Sequence, residues 1–317
     1  MRTLKTILII LSASVILLLL LIASWAIWEH SRDPLSAIDV DAGSVLLLQD
    51  SIMELTSTPE NRVYRHVILT TEQLGEIELS ISQPAEIPTH GLPVIVVLGG
   101  LEIGEANFDL IEEPGNNIIA IYHYPQSPRY WYTGSGVMQI PEIRRAMLQV
   151  PAQLVTAIEW ISRQDWVASE QICITGYSFG AMFLPAVYRL AESRQLLIQQ
   201  GVIAYAGTGI QQLLAHNLHG IPAPFRSVFS WLAATAINPL EPTAHLPHLR
   251  NEFLLINGTR DHQIPERSWR TLHQLTPDPR EIIILDEGHM HPSKPELTRM
   301  LVDMSQKWLL EKEAINP

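Results

Sequence analysis

The sequence predicts an α/β fold: a mostly parallel central sheet with helices on both faces and a small helical cap, preceded by one N-terminal transmembrane helix. Three observations predict it. Short apolar runs alternate with amphipathic stretches along most of the 317 residues. A β-branched run at 172–175 leads into a glycine-flanked serine and then a helix-prone stretch. Residues 7–28 carry no charge and are apolar apart from Ser12, Ser14 and Ser24.

The N-terminal segment is long enough, at ~1.5 Å per residue, to cross a hydrocarbon core of ~30 Å. Arg2 and Lys5 precede it, and Glu29, His30, Arg32 and Asp33 follow. The excess of positive charge before the span puts the N-terminus in the cytoplasm and the rest of the chain outside, periplasmic or extracellular. Trp25 and Trp28 fall at the far interface, where indole rings favour headgroups. Ser24-Trp25-Ala26 also fits a small-x-small cleavage site, so a cleavable signal peptide competes with an uncleaved signal anchor over residues 1–28. The apolar core exceeds the ~7–15 residues usual for a signal peptide, which favours the anchor.

Residues 29–60 carry Pro34, Gly43 and Pro59 and read as a linker with one helical piece near 45–55. Strands follow at 63–70 and 76–82, joined by a turn at Gln73-Leu74-Gly75. Continuous apolar runs at 93–98, 117–122, 171–175, 201–206, 252–256 and 280–285 suit strands buried on both faces. Between them, Ile143, Met147, Val150, Leu154, Ile158 and Ile161 repeat near the helical period, predicting a helix over 143–163. Further helices are expected at 181–199, 265–274 and 295–312. Residues 61–317 thus read as one domain. The proline-rich stretch 207–250 is longer than a crossover needs and reads as a helical cap over the site. A surface excursion with one crossover helix is the alternative.

The formal net charge is −12 and no basic run stands out, which argues against a nucleic-acid partner. Cys173 is the only cysteine, so an internal disulfide and a cysteine-rich zinc site are excluded. Its place in an apolar run predicts a buried small hydrophobe. No metal or organic cofactor is implied.

The chemistry centres on Gly176-Tyr177-Ser178-Phe179-Gly180. A serine on a tight strand-to-helix turn, with flanking glycines permitting close backbone approach, is poised as a nucleophile. Its hydroxyl needs a general base, and the base needs an orienting carboxylate. Asn257-Gly258 ends a predicted strand, and the next loop delivers Asp261; a helix-capping aspartate is the plain alternative. Glu287-Gly288-His289 follows the last predicted strand and presents His289 as the base. His291 is a rival base and Asp286 a substitute acid. The N–H groups of Phe179 and of Leu101, after Gly99-Gly100, suit oxyanion donors. Tyr130, Trp131 and Tyr132 crown a strand end, where they either line a substrate subsite or pack a loop.

The serine segment from Trp166 to Gly180, with Asn257-Gly258-Thr259-Arg260-Asp261 and Glu287-Gly288-His289, resembles the α/β-hydrolase superfamily, in particular its dienelactone-hydrolase and prolyl-oligopeptidase-like branches. The resemblance spans about residues 63–312. It implies a serine hydrolase with the triad Ser178, Asp261 and His289, acting on a small-molecule acyl substrate. One departure is that Gly99-Gly100 stands where many members carry His-Gly. The expected function is ester or thioester cleavage by a membrane-anchored enzyme. A peptidase or amidase on the same triad, or a catalytically silent binding module, are the alternatives.

Overall fold

The computed structural model describes residues 2–53, 61–100, 105–133, 139–291 and 293–317. Among these, nine strands share one sheet. They are β1 (Val45–Met53), β2 (Arg62–Thr71), β3 (Glu76–Pro84), β4 (Leu92–Leu98), β5 (Ile118–His123), β6 (Val167–Tyr177), β7 (Gly201–Ala204), β8 (Phe253–Gly258) and β9 (Arg280–Leu285). Their spatial order is β1-β2-β3-β5-β4-β6-β7-β8-β9. The first three strands and β5 pair antiparallel, and from β5 onward the sheet is parallel. The helices are α1 (Arg2–Ser31), α2 (Pro34–Ile38), α3 (Pro128–Thr133), α4 (Ile140–Ser162), α5 (Leu184–Ser193), α6 (Ile210–Asn217), α7 (Ala223–Ala236), α8 (Glu266–Leu275) and α9 (Pro295–Glu311).

Burial on both faces follows from strand alternation. On β4, Val94, Val96 and Leu98 join the core shared with Leu154 and Ile158 of α4 and Leu184 and Val187 of α5. Ile95 and Val97 point the other way, into a core with Leu301 and Trp308 of α9. A buried polar link ties the layers: Tyr122 Oη donates to Gln153 Oε1 (2.6 Å), and Gln153 Nε2 donates to the Leu74 carbonyl (2.7 Å), anchoring the β2–β3 turn on α4. Cys173 is buried, as its apolar surroundings predict, and burial pushes its thiol up to about 12.

Residues 29–53 of the stretch read as a linker form helix and strand rather than a linker. The expected helical piece near 45–55 is instead the strand β1, paired along β2 with a register shift between Leu47 and Gln49. Backbone pairing with the open edge of β2 overrides the helical preference of its leucines. Before it, Ile38 of α2 is buried, and Arg194 Nη2 pairs with Asp39 (2.6 Å), so this part of 29–60 packs on the body. Residues 207–250 hold α6, α7 and three-residue 3-10 turns.

Two histidines in this body are held neutral by burial. His245 Nε2 donates to the Pro239 carbonyl (2.7 Å), and His273 Nε2 donates to Asn257 Oδ1 (2.8 Å). Burial lowers each from the ordinary histidine value to about 4. An unfolded chain takes up protons near pH ~6.5, whereas the folded protein resists until about pH 4. Stability contributed by these groups is therefore full above pH ~6.5 and falls as the pH drops towards 4, by up to ~1.4 kcal/mol per pH unit for each. Thermal unfolding between pH 7 and 4 should show this loss, and His273→Gln should flatten the slope.

Candidate active site

β6 ends at Tyr177, and the chain turns sharply at Ser178 before the short 3-10 turn Gly180–Met182 and α5. Ser178 has φ 51°, a left-handed conformation costly for a residue with a side chain. Its N–H donates to the Ala204 carbonyl (2.8 Å) on β7. The flanking glycines make room. A Cβ on Gly180 would lie 2.4 Å from the Leu98 carbonyl oxygen and 2.5 Å from that of Gly99. One on Gly176 would lie 2.6 Å from Leu184 Cδ1. The tight turn thus depends on Gly180 lying against the end of β4.

The other two residues come from the ends of β8 and β9. Ser178 Oγ hydrogen-bonds His289 Nε2 at 2.7 Å. His289 Nδ1 donates to Asp261 Oδ2, also at 2.7 Å. The Asp261 side chain is fully buried and that of His289 is 8% exposed. Asp261 Oδ1 accepts from the N–H groups of Gln263 (2.7 Å) and Ile264 (3.0 Å), which fix the carboxylate in one orientation. Neither rival joins this chain of hydrogen bonds. Asp286 is exposed and pairs with Arg260 (3.1 Å), and His291 Nδ1 engages Ser293 Oγ (2.8 Å).

No family model and no curated protein matches the chain. Solved structures do. An acetyl xylan esterase from Paenibacillus sp. R4 aligns at TM-score 0.63 and 13% identity, over 88% of this chain and 94% of that one. Acetyl xylan esterase 1 from Thermoanaerobacterium sp. JW/SL YS485 aligns at TM-score 0.59 and 15% identity, over 85% and 91%. The uncomplexed acylaminoacyl peptidase of Pyrococcus horikoshii aligns at TM-score 0.54 and 16% identity, over 81% of this chain and 43% of that one. The chain has the α/β-hydrolase fold.

Within that fold, the turn after β4 lies beside the serine. A Cβ on Gly100 would stand 3.5 Å from Ser178 Cβ and 3.9 Å from its Oγ. Tyr124 Oη donates to the Gly99 carbonyl (2.8 Å), and its ring packs with Phe179 and Phe183 at centroid distances of 5.8 and 5.9 Å. Tyr124 thereby braces the Gly99-Gly100 turn. Leu101 falls outside the described residues, as do the side chains of Trp131 and Tyr132. Tyr130 is half-buried against the core shared with α4 and α5.

A cavity of about 240 Å³ opens at Ser178 and His289. It runs between the sheet and α9, past Ile95, Val97 and Ile119 on one side and Val302 on the other. Thr175, Tyr177 and Ser305 also line it. Tyr130 does not line it, and neither does any residue of 207–250. That stretch sits beside the site: on α6, His216 hydrogen-bonds the His262 carbonyl (2.8 Å) and Asn217 Nδ2 donates to that of Gln263 (2.9 Å).

Two supports are not among the residues that the sequence singles out for a role. Tyr205, just past β7, takes φ 57°, and its ring stands edge-on to His289 at 5.5 Å. Burial and the nearby Asp261 carboxylate push its phenol well up, so it stays neutral. Behind Asp261, Asn257 is buried, accepts from His273 and donates to the Ala206 carbonyl (2.9 Å), pinning the end of β8. Only the adjacency Asn257-Gly258 at a strand end hinted at this.

Gly180→Ala should lower stability by about 1–3 kcal/mol, because the two backbone carbonyls of Leu98 and Gly99 must move to admit one methyl. Gly220→Ala, with nothing within 4 Å of the added carbon, should stay within about 0.5 kcal/mol of the parent. Urea unfolding of the two variants against the parent checks both.

Proposed function

We propose that the protein is a membrane-anchored serine hydrolase that cleaves a carboxylic ester or thioester through an acyl-enzyme on Ser178. The observation that carries this reading is the continuous hydrogen-bonded chain Ser178–His289–Asp261 on a left-handed turn. Asp261 accepts a hydrogen bond from the Nδ1–H of His289, which holds the tautomer whose Nε2 is free to accept the serine proton. Oγ then attacks the carbonyl carbon, and the proton passes from Nε2 to the leaving oxygen or sulfur. Water repeats the sequence to release the acid and restore Ser178. The developing oxyanion is held by the N–H groups of Phe179 and Leu101. The acyl group enters the cavity that Ser178 and His289 line, together with His291 and Gln263.

The neighbours support acyl-transfer chemistry by name, two as acetyl xylan esterases and one as an acylaminoacyl peptidase. The peptidase is the reason to include amides among the substrates tested.

Anchoring rests on α1. It is long and apolar enough to cross a membrane, and its apolar window is wholly unburied. Its last two turns belong to the body: Ala26 is 6% exposed, and Glu29, 1% exposed, pairs with Arg144 of α4 at 2.5 Å. A cut after Ala26 would fall inside this packed helical segment, which favours the uncleaved anchor over a signal peptide.

Full-length protein in membranes should be labelled by a fluorophosphonate at Ser178, and Ser178→Ala should abolish labelling. Asp261→Asn should lower kcat on a short-chain p-nitrophenyl ester by about 10⁴-fold, since the wrong tautomer of His289 is then favoured. A folded protein that is neither labelled nor active on any ester, thioester or anilide would rule the reading out.

A further inference from the structure

α7 leaves an apolar face in the open. Phe225, Val228 and Phe229 are 60%, 55% and 52% exposed, and their i, i+3, i+4 spacing puts them on one side of the helix. The exposed positions of α7 are Ala, Pro, Phe, Ser, Val, Phe and Ala, with no charge among them. Its single charged residue, Arg226, turns back to donate to the Ile221 carbonyl (3.1 Å). An uncharged aromatic face of this kind on an acidic protein calls for an occupant.

The position of α7 identifies that occupant. α1 packs against α7 and the turn that follows it. Burial along α1 reaches back from Glu29 through Ala26 and Trp25 to Ile22. A hydrocarbon core needs about 20 apolar residues, so the stretch from Ile22 to Ala26 lies at the outer end of the span that starts near residue 7. α7 is therefore level with the last turns of the anchor. That is the depth, about 5–10 Å into the headgroup and acyl boundary, at which interfacial helices lie.

We propose that α7 is an interfacial membrane helix: its Phe225, Val228 and Phe229 face is seated in the outer leaflet beside α1. The proposal rests on the anchor reading of α1. The anchor and α7 then hold the body at two points, so its tilt on the bilayer is set. The α6–α7 hairpin also touches the loop of His262 and Gln263, so the rim of the cleft is joined directly to the membrane-seated element. Substrates delivered this way are amphiphilic esters that partition into the interface.

The test uses the full-length chain reconstituted into phosphatidylcholine vesicles with and without brominated acyl chains. Bimane is attached to single cysteines introduced as Val228→Cys on α7, Leu17→Cys on α1 and Lys307→Cys on α9. The native Cys173 is buried and does not compete. Bromolipid should quench the labels at positions 17 and 228 at least twofold and leave that at 307 unchanged. Quenching at 17 with position 228 behaving like 307 overturns the α7 proposal and leaves the anchor standing. Loss of quenching at 17 overturns both. Oxidative cross-linking of Val228→Cys copies into dimers without lipid quenching assigns the face to a second copy and equally overturns the proposal.

Discussion

Ser178 sits in a backbone conformation that residues with side chains avoid, at a cost of about 1–2 kcal/mol. Three chain segments hold it there: the end of β4, the first turn before α5, and the end of β7. Gly180 lets the first two touch, since any side chain at that position would overlap the Leu98 and Gly99 carbonyls. The third contributes through the Ser178 N–H to Ala204 bond. The same bond recurs along the sheet edge. Tyr205 N–H reaches the Ile256 carbonyl (2.7 Å), and Thr259 N–H reaches that of Leu285 (2.8 Å). Each strand end is thus tied to the next, from β6 to β9.

This row explains why the site residues come from where they do. Ser178, Tyr205, Asp261 and His289 follow β6, β7, β8 and β9 in spatial order. Three inter-strand steps of ~4.8 Å separate β6 from β9, about 14 Å in all. Four residues beyond Leu285 extend at most ~13–14 Å, and the imidazole supplies the remaining reach. His289 can therefore meet Ser178 only if its loop runs back across the sheet edge. Asp261 stands one strand nearer and closes the chain from behind. Tyr205, between them, packs beside the imidazole. Because the Asp261 side chain is buried, the two N–H donors and His289 between them satisfy its carboxylate oxygens and hold it in one orientation.

The legible parts were those written in local chemistry. The parallel strands carry short apolar runs, the elbow is a glycine-bounded pentapeptide, and Asp261 and His289 each follow a strand end, three residues after Gly258 and directly after Gly288. All three properties survive in a linear reading. What escaped it depends on contacts distant in sequence. β1 forms because β2 has an open edge, not because its leucines prefer strand, so a local reading near 45–55 pointed to helix. Tyr205 is one tyrosine among eight, distinguished only by its position after β7. The cavity is a gap between the sheet and α9, made by residues 95 to 306 that share no motif. Substrate shape is written in such gaps, which is why the chemistry of the site is easier to read than its specificity.

The N-terminal helix shows the same division. Its apolar length is visible in sequence, but its attachment to the body is not, because Glu29 and Arg144 lie 115 positions apart. A carboxylate 1% exposed needs partners, and Glu29 has three: the Arg144 guanidinium (2.5 Å), the Trp25 indole N–H (3.2 Å) and Arg32 (3.6 Å). The end of α1 is consequently part of the folded unit, reinforced by the Asn238 amide on the Glu29 carbonyl (3.4 Å). α4, which carries Arg144, also carries Gln153 beneath the sheet. The helix that locks α1 to the body is thus the one that braces β5 through Tyr122, and the β2–β3 turn beyond it. Any tilt of α1 therefore carries the sheet with it, so the orientation of the site relative to α1 is a property of the fold rather than of a flexible tether.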